Sequence, residues 1–99
     1  MIIPEDILIY IDQHFPAAKR EEVIALLKLA VLHDGTAPAP RIIRSAVYAS
    51  TGDIEKLLYY IDLIAIDYRD VIVAGEYEDL DGELIRVRDL SLPFLLNNS

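Results

Sequence analysis

Asp53-Ile-Glu-Lys-Leu-Leu-Tyr-Tyr-Ile-Asp-Leu-Ile-Ala-Ile-Asp67 is the stretch on which the fold turns. Ile54, Leu57, Leu58, Ile61, Ile64 and Ala65 recur at the i, i+3, i+4, i+7 spacing of a helix with one apolar face. Tyr59, Leu63 and Ile66 fall on the opposite side and form a second stripe. A small domain ordinarily covers one face of such a helix. The second stripe therefore calls for another layer, a tail or a partner. Asp53 is placed to cap this helix, and Gly52 ends the one before it, so the two meet in a tight hairpin or corner.

Reading toward the N-terminus, Arg41 to Thr51 forms a third helix, with Ile42, Ala46 and Ala49 inward and Ile43 and Val47 flanking. Thr36-Ala-Pro-Ala-Pro40 is a stiff extended connector. Pro16 opens a second helix predicted to run to about His33, with Gly35 as its C′ residue. Lys28 is its only charge between Val23 and Leu32, which predicts a central, buried helix. Pro4-Glu-Asp starts a short first helix that stops near Phe15, before Pro16.

Toward the C-terminus, Asp67 is a candidate cap for a fifth helix, Tyr68 to about Glu78, with a strand through 71–74 as the alternative. Asp81-Gly82 signals a turn, and Ile85 and Val87 alternating with Arg86 and Arg88 suit a short extended segment. Leu90, Leu92, Phe94, Leu95 and Leu96 make an apolar tail broken by Pro93. The expected fold class is all-α, a compact bundle of four to five helices. Residues 1–99 form one domain, and 79–99 are an extended or irregular tail packing on the bundle or on a partner.

Ninety-nine residues suffice for one core. Ile, Leu and Val number thirty-four, more than one small core readily absorbs. No apolar run reaches the roughly 20 residues of a membrane span. The N-terminus lacks the basic and cleavage features of a signal peptide, so a cytoplasmic location is expected. Seventeen acids against nine bases give a net charge of −8, weighted toward the final third. Phosphate neutralisation requires clustered Lys and Arg, so nucleic acid and anionic membrane are not expected partners. The Gly52 junction is for that reason not read as a DNA-binding helix-turn-helix. A basic protein partner would be attracted.

The acids Glu76, Glu78, Asp79, Asp81 and Glu83 invite a calcium reading. Setting Gly82 at the glycine of an EF-hand loop puts Tyr77 and Arg88 at the two positions that most need acids, so the cluster reads as a solvated turn. There is no cysteine, and His14 and His33 are not in a metal-binding spacing, so no metal or cofactor is expected. No nucleophile frame or phosphate-binding loop is present. Arg41, Arg44 and Tyr48 share one side of the third helix and could hold an anion, although in so acidic a chain two arginines will also find carboxylate neighbours.

The resulting expectation is a non-catalytic interaction module that self-associates as a homo-oligomer. Its contact residues are Tyr59, Leu63 and Ile66 on the helix and Leu92, Phe94 and Leu95 on the tail. One alternative is an acidic inhibitor or immunity-type protein that binds a basic partner, steered by the C-terminal third. Another is a small-molecule anion-binding protein or enzyme built on Arg41, Arg44 and Tyr48.

Overall fold

The structure is a computed structural model that describes residues 2–97, with side chains through Leu95. Leu96, counted above in the apolar tail, has its side chain outside the described part. The described residues form four α-helices followed by a two-stranded antiparallel hairpin and a short 3-10 turn. The fold is thus mostly helical rather than all-α.

Helix α1, Glu5–His14, continues a buried stripe from Ile3 through Ile7 and Ile11 to Phe15. Glu5 and Asp6 occupy its positive end. Pro16 forces Phe15 into an extended conformation and ends it. A 3-10 turn, Ala17–Lys19, leads into α2, Arg20–Leu29. This helix is shorter than its apolar composition suggests, because Ala30 turns extended and a separate turn, Gly35 N–H to the Leu32 carbonyl, closes the segment. It is also not the central helix. Val23 and Leu27 are buried, but Leu29 is 71% exposed, because α2 lies at the edge of the fold with only one side covered.

The central element is α3, Pro40–Ala49, in which every residue from Ile42 to Val47 is buried. Proline supplies its first turn, where a missing N–H costs nothing. It ends through Thr51 and Gly52, both at positive φ. A Cβ at Gly52 would lie 2.3 Å from the His14 carbonyl oxygen, so this corner closes against the end of α1 only because the residue is glycine.

Helix α4, Ile54–Glu76, starts as the sequence indicates: the Asp53 carboxylate accepts the backbone N–H groups of Glu55 and Lys56. The helix kinks at Asp67, whose φ/ψ is non-helical and whose carboxylate accepts the Arg69 N–H, so residues 68–76 form a second helical segment capped by Asp67 as the sequence indicates. Residues 71–74 are helix. Leu57, Ile61, Ile64 and Val71 face the core. The interface between α3 and α4 is the largest between helices. At its far end Gly75 meets Ser45 so closely that a Cβ on Gly75 would be 2.6 Å from the Ser45 Cα.

Strands β1, Tyr77–Leu80, and β2, Glu83–Arg86, pair antiparallel, with Tyr77 opposite Arg86 and Leu80 opposite Glu83. Asp81 and Gly82 both take positive φ, the two-residue hairpin turn of the mirror-image type. The expected fifth helix therefore stops at Glu76, two residues short, and what reads as an irregular tail begins as a strand pair. Tyr77-Glu-Asp-Leu80 has no strand periodicity of its own; its pairing with 83–86 makes it one.

Candidate functional site

Glu76 is the residue that sequence reasoning placed wrongly. It belongs to no solvated acidic turn: its side chain is fully buried where α4 becomes β1. The close approach at Gly75 brings it beside α3. There Arg41 grips it with both arms of its guanidinium, Nε to Oε2 at 2.9 Å and Nη2 to Oε1 at 2.7 Å. Arg86 Nε adds a bond to Oε1 at 2.9 Å, and the Leu90 N–H one to Oε2 at 2.9 Å. Its own backbone carbonyl accepts from Val87 N–H at 2.8 Å and closes the base of the hairpin. Burial opposes the Glu76 charge, but Arg41, the Leu90 N–H and Arg86 outweigh it and hold the carboxyl below its usual range. The same bond lifts the pKa of Arg41.

A second clamp works from α1. Arg44, buried within α3, donates Nε to Asp6 Oδ2 at 2.8 Å and Nη2 to Asp6 Oδ1 at 3.1 Å. Its Nη1 donates to the Leu90 carbonyl at 3.2 Å. Asp6 also accepts the Phe94 N–H at 3.1 Å. Although burial opposes its charge, the Arg44 bonds and the Phe94 N–H keep the Asp6 carboxyl below its usual range. Leu90 is thus buried with its N–H on Glu76 and its C=O on Arg44. Two carboxylates and two arginines from three helices fasten the C-terminal segment to the body. Among the described residues no buried side-chain nitrogen or oxygen lacks a partner.

Arg41, Arg44 and Tyr48, which share a side of α3, therefore do not converge on one point. Arg41 meets Glu76 and Arg44 meets Asp6. Tyr48 carries the Arg88 guanidinium 4.1 Å above its ring, and Arg88 in turn bonds the Gly75 carbonyl at 2.6 Å and Glu78. Neither Glu76 nor Asp6 had a sequence signal pointing to these roles. The available hint at Glu76 is its place one turn after Ile72, beside the inward face of the helix.

The tail residues separate. Phe94 is half-buried and stacks on Tyr10 of α1 at 4.1 Å, while Tyr10 also stacks with His14 at 3.9 Å. Burial pushes the Tyr10 phenol up. Leu92 is exposed, and Leu95 is 80% exposed beside the open groove between α1, α3 and the tail. The tail thus docks on α1 and leaves the second stripe of α4 in water: Tyr59 is 62% and Ile66 77% exposed. Leu63 between them is half-buried and also touches the core. The Tyr59 ring stands edge-on to Tyr60 at 5.1 Å between centroids.

Among the described residues no group of three or more His, Asp or Glu could hold a metal ion, and no helix is long and apolar enough to cross a membrane. Neither the family models, the curated proteins nor the solved structures searched contain a match to this chain.

Proposed function

We propose that this chain is a non-catalytic protein–protein interaction module that self-associates through the outer stripe of α4, centred on Tyr59, Leu63 and Ile66. The observation that carries this reading is the exposure of Tyr59 and Ile66 on the first segment of α4, before its kink, while the chain's own apolar tail lies on α1. A large ring with a polar tip beside branched aliphatics is the composition of interface anchors rather than of ordinary helix surface. The pairing of Arg41 and Arg44 with Glu76 and Asp6 supports it further, since these guanidinium groups are occupied in holding the fold together.

Sedimentation equilibrium across a concentration series tests the proposal. The wild type should show a dimer or higher species, and both Ile66→Asp and Tyr59→Asp should return it to the monomer mass with an unchanged far-UV spectrum. These positions are cleaner than Leu63, which contributes to the core as well. Because each copy carries a charge of −8, raising salt should strengthen the association. A wild type that is monomeric at about 1 mM would remove the proposal.

A further inference from the structure

The hairpin, residues 77–86, is a sheet with no second layer. Apart from half-buried Tyr77, every residue of both strands is exposed. An isolated two-stranded hairpin is marginal in water, and this one is held at its base by the Glu76 carbonyl and the Arg86 and Arg88 contacts. Its outer half is tied only locally, by the Asp79 carboxylate accepting the Gly82 N–H at 3.0 Å among the described residues. Pleating places Leu80 and Ile85 on one face with Glu78 and Glu83, and Leu84 on the other with Asp79. Leu84 is 60% exposed. With a two-residue turn, Leu80–Glu83 and Glu78–Ile85 are the mutually bonded pairs, so Tyr77 and Asp79 on β1 and Leu84 and Arg86 on β2 aim their backbone N–H and C=O groups outward.

We propose that this hairpin is a docking edge for an extended basic segment of a partner protein, added as a further strand. Charge selects the occupant. Glu78 is paired with Arg88, and Arg86, the one base within the strands, with Glu76 and Asp89, so Asp79, Asp81 and Glu83 leave the outer half in acidic excess. A second copy would bring the same acids to the same edge, so self-pairing here is opposed and the acids act as a guard against it. A strand alternating Lys or Arg with Val or Ile sets its two side-chain types on opposite faces: its backbone completes the open ladder, its aliphatics cover Leu84 on one face, and its cations run along the other, where Glu83 stands beside Leu80 and Ile85. This surface is separate from the α4 stripe and does not depend on it.

The test uses the full chain and a short synthetic peptide alternating Lys with Val, followed by NMR titration. Shifts should concentrate at residues 77–87, with affinity falling as salt rises. A peptide of the same charge with two of its Val replaced by Pro should bind about tenfold more weakly, because it cannot complete the ladder. A Glu-Val peptide should not bind. Asp81→Asn with Glu83→Gln, which keeps residues tolerated at the turn, should also weaken the Lys-Val peptide about tenfold or less, in line with partly screened charges. Ile66→Asp should leave that affinity unchanged, which separates failure here from failure at α4. Equal binding of the proline peptide, shifts centred on α4, or no binding by about 1 mM would overturn the proposal.

Discussion

Helices α3 and α4 lie against each other and use their surfaces in opposite ways. α3 carries two arginines and a serine among ten residues and is the most deeply buried helix, with Arg44 and Ser45 inside. α4 is richer in large aliphatics and leaves Tyr59 and Ile66 in water. α2, with Arg20, Glu21, Glu22 and Lys28 charged, lies at the edge and exposes even Leu29. Burial follows the position of a helix in the stack, not its own polarity. A charged helix can occupy the middle provided each charge arrives with a partner, as Arg44 does with Asp6 and Arg41 with Glu76. α4 can stay half open because its cap, its core face and its end contacts hold it without the second stripe.

The sharpest way to break this contrast is at Glu76. Glu76→Ala leaves Arg41, Arg86 and the Leu90 N–H without their acceptor, and the expected loss is about 3 kcal/mol in urea unfolding, the lower end for a broken buried pair because both arginines are partly solvated. A loss below about 1 kcal/mol would mean that α3 does not depend on that partner. Gly75→Ala comes next. Its Cβ would press on Ser45 backbone and Cβ atoms that cannot swing aside, so α3 and α4 must separate at a cost of about 1–3 kcal/mol. Retention of the wild-type urea midpoint would show that the close approach is dispensable.

Acid should loosen the same region. The Glu76 and Asp6 carboxyls are held below their unfolded values, so their contribution is complete at neutral pH and is lost as pH falls below roughly 4 through the folded values. Stability measured from pH 7 to pH 2 should drop over that range, and Asp6→Asn combined with Glu76→Gln should flatten the drop while lowering the plateau. An unchanged acid limb in the double variant would move the effect to other carboxylates. The smallest effect sharpens the comparison from the open side: Ile66→Asp should change unfolding free energy by no more than about 0.5 kcal/mol, measured below the concentration at which the wild type associates. A larger loss would show that the outer stripe supports the monomer.

Signals carried within a few residues were legible. Pro16 ended α1, the Pro38–Pro40 connector led into α3, Gly52 and Asp53 made the α3–α4 corner, and Asp67 marked the break in α4. Asp81-Gly82 marked its turn. Each of these rests on a φ preference, a missing N–H or a side chain that caps its own neighbours, so the residue and its adjacent chain determine the outcome. The second stripe of α4 was legible as a stripe for the same reason: helical periodicity is local.

Tertiary structure alone decided which helix is central, that Tyr77–Leu80 is a strand, that Glu76 is buried, and that the tail goes to α1 rather than over Tyr59 and Ile66. Arg41 and Glu76 are 35 positions apart, Arg44 and Asp6 are 38, and Asp6 and Phe94 are 88. A carboxylate's burial is set by the donors that reach it, and a short strand's existence by the strand beside it. Those partners come together only when the chain folds, so the residues taken singly hold no record of them.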